Sequence, residues 1–76
     1  MSNNRKEMNL MRITMKQARI GADMTQQQVA DRLGVHVQTY QRMENNPEDI
    51  SIKQGKNFAD IVGVNFEDIF FIDNSN

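Results

Sequence analysis

TQQQVADRLGVHVQTYQRME, residues Thr25 to Glu44, is the stretch that decides the fold. Thr25 is a helix N-cap, and Gln28 three residues later supplies the second half of a capping box. Val29, Ala30 and Leu33 recur at helical spacing and give the segment one apolar face. Gly34 provides the left-handed residue that ends a helix at little cost. Val35 follows as an apolar anchor. A second helical pattern starts at Val37, with Val37, Tyr40 and Met43 or Glu44 on one side and the long polar Gln38, Gln41 and Arg42 elsewhere. The reading is two helices of about eight residues, joined by a glycine turn of three or four, the second rich in amide and guanidinium groups.

Outward from this stretch, the chain reads as short helices only. Upstream, Thr14 and Gln17 form another capping box, and Met15, Ala18 and Ala22, with Arg19, make one stripe over about 15–22. Gly21 weakens the last turn of that helix by ~1 kcal/mol relative to Ala. Downstream, Asn45 and Asn46 tolerate the left-handed conformation that closes a helix, and Pro47 bars continuation. Ser51 and Gln54 open a fourth helix whose core face is expected to be Ile52, Phe58, Ala59 and Val62. Gly55 interrupts that face where an apolar side chain is expected, which only a close approach of another helix would justify. Gly63 ends the fourth helix and Val64 anchors the connection. Asn65 caps a fifth, with Phe66, Ile69 and Phe70 as its apolar set. No alternating strand pattern, repeat or low-complexity segment occurs, so the class is all-α, a compact five-helix domain over 13–72. A flexible polar arm precedes it at 1–12, and a polar tail closes it at 73–76.

Composition narrows the function. Seventy-six residues make one small domain, which buries only ~60% of the surface its unfolded chain exposes. There is no Cys and one His, so no thiolate metal site and no His cluster can form, and no cofactor is expected. The six Met read as fillers of a small core. No apolar run reaches the ~20 residues of a membrane span or the core of a signal peptide, which gives a cytoplasmic expectation. No nucleophile–base arrangement and no phosphate-binding Gly-rich loop suggests an enzyme.

Net charge is −1 and the pI ≈ 5.7, but the charge is polarised. Residues 1–42 carry seven Lys/Arg against three acids, +4, while residues 43–76 carry two Lys against seven acids, −5. Such asymmetry suits a nucleic-acid face opposite an acidic one, where a protein partner could bind. Arg5, Lys6 and Arg12 in the arm are placed to reach DNA if the arm has a role at all.

These residues carry a resemblance. QARIGADMTQQQVADRLGVHVQTYQRMEN followed by SIKQGKNFADIVGVNFEDIF is similar to the phage repressor and Cro-like helix-turn-helix family, also called the xenobiotic-response-element family. The matches are Ala18-Arg19, Thr25-Gln26, Ala30, Leu33-Gly34-Val35, Glu44-Asn45, Ala59 and Gly63-Val64, over about 13–70. The resemblance implies a lambda-repressor-like bundle whose third helix, about 37–43, lies in the major groove of a double-stranded DNA operator, usually as a homodimer on paired half-sites. It further implies a small repressor of the Cro or immunity-repressor kind, as in phages and mobile elements. The alternative from a different class is an antitoxin-like or anti-repressor module that binds protein through the acidic C-terminal half.

Residue by residue, Gln38 is the leading base reader, since an amide matches the N6 and N7 of adenine. Arg42, one turn on, can pair with guanine or hold a phosphate, and Gln41 beside it is a further candidate. Val37 can meet a thymine methyl or seat the turn. Gln26, at the start of the second helix, is expected at the DNA backbone. His36, Asn45 and Asn46 are candidates for phosphate, or serve only as cap and turn residues. Arg19 and Glu44 are implied to form an ion pair that holds the recognition helix. Phe66, Ile69, Phe70, Phe71 and Ile72 are more apolar than a small monomer needs, so they complete the core or make a dimer patch.

Overall fold

The computed structural model describes residues 13–70. The arm at 1–12, Phe71, Ile72 and the tail at 73–76 lie outside the described residues. Five α-helices follow in order: α1 Met15–Gly21, α2 Gln26–Leu33, α3 Val37–Asn45, α4 Ile52–Val62 and α5 Phe66–Ile69, with one 3₁₀ turn, Pro47–Asp49, between α3 and α4. Among the described residues there is no strand. The domain is all-α.

Local chemistry explains the boundaries. Thr14 and Thr25 each accept the backbone N–H three residues on, at 3.0 Å, and receive the Gln17 and Gln28 amide oxygens on their own N–H groups at 2.9 Å. Both capping boxes are complete. Gly34 and Gly63 end α2 and α4 at φ 77, a conformation that costs a side chain with a Cβ ~1–2 kcal/mol. The chain reversal after α1 comes at Asp23, φ 60, a residue type whose short polar side chain tolerates that region. Gly21 stays helical.

Four expectations need correction. Ser51 accepts from the Gln54 backbone N–H at 3.1 Å, but no return bond completes a box. The Asn65 side chain makes no cap hydrogen bond. Asn46 closes α3 at φ −134, outside the left-handed region, because the 3₁₀ turn continues the winding directly. Ile52 is 57% exposed; it lies at the first position of α4, one turn before Gly55, where the Phe66 and Phe70 rings close on the helix.

The core is built by Met15 and Ala18 of α1, Val29 and Ala30 of α2, Tyr40 and Met43 of α3, Phe58, Ala59 and Val62 of α4, and Ile69 of α5. Each Phe-sized side chain so buried contributes ~1.5–3 kcal/mol. Met15 and Met43 are buried in it and Met24 packs against it, which suits their adaptable shape. Helix α4 is the central strut, contacted by α1, α2 and α5, while α2 packs on α3. An aromatic chain crosses the core: Tyr40 stacks on Phe58 at 6.1 Å, Phe58 meets Phe70 edge-on at 6.4 Å, and Phe70 leans on Phe66 at 5.0 Å. Gly55 sits under this end of the chain. A Cβ there would lie 2.8 Å from Phe66 Cε1 and 3.3 Å from the Phe70 ring. That close approach accounts for a glycine on a buried helical face. Finally, the Ile13 N–H donates to the Asp68 carbonyl at 3.1 Å and ties the start of the domain to α5.

Candidate nucleic-acid interface

The turn Gly34-Val35-His36 aims α3 across the end of α2. The Gly34 N–H donates to the Asp31 carbonyl at 3.2 Å and the Val35 N–H to the Ala30 carbonyl at 3.0 Å, so these two carbonyls at the end of α2 are satisfied and the path of the chain into α3 is set. Val37 and Val35 are half-buried against the core. Tyr40 and Met43 seal the inner face of α3. The outer face then carries Gln38, Gln41 and Arg42, all exposed and spaced three and four apart, so one helical face gathers them.

The inner edge of α3 ends in a polar cluster. Arg19 Nε donates to Glu44 Oε2 at 2.6 Å, with 11% and 6% of the two side chains exposed. This is the one ion pair among the described residues. The Tyr40 hydroxyl donates to the same oxygen at 2.5 Å, and Gln26 Nε2 donates to Glu44 Oε1 at 3.1 Å. A second guanidinium nitrogen of Arg19 donates to the Met24 carbonyl at 3.1 Å. Helices α1, α2 and α3 therefore meet on one carboxylate, and Arg19 also ties in the α1–α2 connection through Met24. Burial by itself would raise the Glu44 carboxyl, but the bonds from Arg19, Tyr40 and Gln26 outweigh it and hold it below the usual carboxylate range. The bond to Glu44 pushes the Arg19 guanidinium upward, against the opposing effect of its burial. Burial first, and then the bond to Glu44, raise the Tyr40 phenol, which stays a neutral donor. No buried side-chain nitrogen or oxygen lacks a partner among the described residues, so the cluster meets the condition under which a buried charge is tolerated.

The other candidates fall into place as follows. Gln26 is half-buried, and its amide bridges two residues: it donates to Glu44, while its oxygen accepts from Gln41 Nε2 at 3.1 Å. Its backbone N–H, at the first position of α2, still belongs to the donors that helix starts leave without an intrahelical partner. His36 occupies the N-cap of α3 without any side-chain cap bond and is exposed. Asn45 is exposed at the last position of α3. Asn46 folds back on that helix, its backbone N–H and its Nδ2 both donating to the Arg42 carbonyl, at 2.9 and 3.4 Å. Ile69 is buried, and Phe66 and Phe70 are half-buried; Phe71 and Ile72 lie outside the described residues.

The resemblance implies Arg19 alone as the partner of Glu44; Tyr40 and Gln26 are further partners that it does not indicate. A signal for Tyr40 was present. A hydroxyl-bearing ring on a buried stripe, one helical turn before an inward Glu, brings its oxygen to the carboxylate. Gln26 gave no comparable sign, since nothing along the chain relates the start of α2 to the end of α3.

A family model described as helix-turn-helix matches residues 15–69. No curated protein matches the chain, and no solved structure does. The match runs from the first residue of α1 to the last of α5, so it covers every helix described. Among the described residues no helix is long and apolar enough to cross a membrane.

Proposed function

We propose that this chain, which belongs to the Cro/C1-type helix-turn-helix family, is a small repressor that reads an operator by laying α3 in the major groove. The family makes it a DNA-binding transcription regulator in general terms. What supports the finer reading is the division of α3 into two faces. Tyr40, Met43 and Glu44 are locked to the body of the domain, and Gln38, Gln41 and Arg42 stand outward together. A rigid helix with amide and guanidinium groups on its free face fits the donor–acceptor pattern of base edges. Gln38 takes adenine, and Arg42 takes guanine or the adjoining phosphate. Val37 supplies an apolar contact for a thymine methyl with whatever surface the core leaves it. Gln26 through its backbone N–H, His36, Asn45 and Asn46 line the flanks where phosphates would run.

A homodimer on two half-sites about one helical turn apart fits this arrangement. The half-buried Phe66 and Phe70 at one end of the domain are the proposed contact, with Phe71 and Ile72. Sedimentation that shows a monomer both alone and on operator DNA would remove the dimer from the reading.

The test is selection of duplexes from a random pool by the full chain. A two-fold symmetric motif is expected, with one adenine that becomes unimportant in Gln38→Ala. Failure to enrich any motif would favour a second reading, a protein-interaction module. The observation behind that alternative is the exposed acidic set Glu48, Asp49, Asp60, Glu67 and Asp68.

A further inference from the structure

Helix α3 presents three long polar side chains, and one of them is not free to turn. Gln41 Nε2 donates to Gln26 Oε1, and Gln26 Nε2 donates in turn to Glu44 Oε1, both at 3.1 Å. Glu44 is the end of this line. Its other oxygen receives Arg19 at 2.6 Å and Tyr40 at 2.5 Å, so it is an ionised carboxylate that can only accept. A primary amide has one oxygen and one nitrogen end, and a carboxylate takes only the nitrogen end. Gln26 must therefore point its nitrogen inward and its oxygen outward. Reversing that amide would set two oxygens facing each other. The Gln26 oxygen, in turn, takes only the nitrogen end of Gln41. The polarity of the buried carboxylate is thus handed outward through two amides.

We infer that this relay makes Gln41 an adenine-directed reader, with its oxygen and its remaining N–H presented to the base edge. The inference rests on the reading that α3 enters the major groove. The inventory of groups decides the base. Gln41 has spent one N–H on Gln26 and keeps Oε1 and one N–H. Adenine offers an N6 donor and an N7 acceptor, which match both groups. Cytosine offers an N4 donor and matches one. Guanine offers two acceptors, O6 and N7, and thymine offers O4; each matches only the remaining N–H, and the second acceptor of guanine then faces Gln41 Oε1. A glutamine without the relay could turn its amide over and accommodate either kind of edge. Gln26 then acts as a positioning residue for specificity, through Gln41.

The experiment uses duplexes selected from a random pool, with the operator position assigned to Gln41 as the one that Gln41→Ala makes indifferent. All four bases, and purine lacking the 6-amino group, are placed there and titrated with the full chain. Adenine is expected to bind best. Loss of the 6-amino group, or replacement by guanine, should weaken binding about tenfold. In Gln26→Met the adenine-over-guanine ratio should fall to about threefold or less, while the preference at the position read by Gln38 stays unchanged. A melting temperature for Gln26→Met separates loss of the relay from loss of the fold, and the wild-type base series decides by itself if that variant does not fold. Preference for guanine or thymine at the Gln41-dependent position, the absence of any such position, or an undiminished ratio in folded Gln26→Met would overturn the relay alone. A pool with no enriched motif would overturn the major-groove reading together with the relay.

Discussion

Replacing Glu44 by Ala removes the acceptor on which three helices of the chain converge. Three hydrogen bonds disappear, from Arg19 at 2.6 Å, Tyr40 at 2.5 Å and Gln26 at 3.1 Å. The Arg19 side chain, 11% exposed, is left with the Met24 carbonyl as its one acceptor among the described residues and no counter-charge. Removing one partner of a buried pair costs ~3–5 kcal/mol, mostly for the charge left behind. A domain of 76 residues has a total stability of only ~4–11 kcal/mol at the usual per-residue value. The variant should therefore melt about 12–24 °C lower for a loss of ~3 kcal/mol, and sit near the edge of folding if the loss is greater. Thermal and urea denaturation followed by circular dichroism measure this directly. The double variant Arg19→Met/Glu44→Leu should recover much of the loss, because no charge then stays buried and unpaired. Tyr40→Phe, which deletes one donor and keeps the ring stacked on Phe58, should cost ~1.5 kcal/mol. A change below ~0.5 kcal/mol in Glu44→Ala would refute the reasoning, because pairs of that strength belong to solvent-exposed surfaces.

Further outcomes are expected. Because the Glu44 carboxyl is held below the usual carboxylate range, its contribution is fully present above the unfolded pKa of ~4.3 and is lost as pH falls through the lower folded value; the melting-temperature gap between wild type and Glu44→Gln should be constant near neutrality and shrink below about pH 4. Gly55→Ala places a Cβ 2.8 Å from Phe66 Cε1, and the ~1–3 kcal/mol of overpacking should outweigh the ~1 kcal/mol of helix propensity. Gly21→Ala meets nothing within 4 Å and should stabilise by up to ~1 kcal/mol; urea midpoints that move both variants in the same direction would contradict this packing of α5 on α4. Binding to a selected operator should depend weakly on salt, since α3 offers Arg42 as its lone free cation among the described residues and each phosphate neutralised adds about 0.9 to the log–log slope; Arg42→Ala should lower that slope by about one if Arg42 holds a phosphate, and leave it unchanged if Arg42 reads a base.

Much of this architecture was determined by the sequence alone, because the interactions responsible are local. Thr14 and Thr25 meet their glutamines within one turn, Gly34 and Gly63 supply the left-handed stops, and Val29, Ala30, Tyr40 and Phe58 repeat at helical spacing. Such features act within a few residues and are visible along the chain. The outward trio Gln38, Gln41 and Arg42 is legible for the same reason, as the complement of a buried stripe. Where the fold departs from that reading, the cause is a partner distant in sequence. Ile52 carries the right spacing for the core but stays exposed at the first position of its helix. Gly55 looks like a defect until Phe66 and Phe70 close on it from α5. Only the tertiary structure decided the cluster beneath α3. Arg19, Gln26, Tyr40 and Glu44 belong to three helices, and no periodicity links them. They meet because α1, α2 and α3 pack around one carboxylate, and a buried charge draws every donor within reach. That convergence holds the polar face of Thr25 to Glu44 in one orientation and reaches Gln41 on the surface.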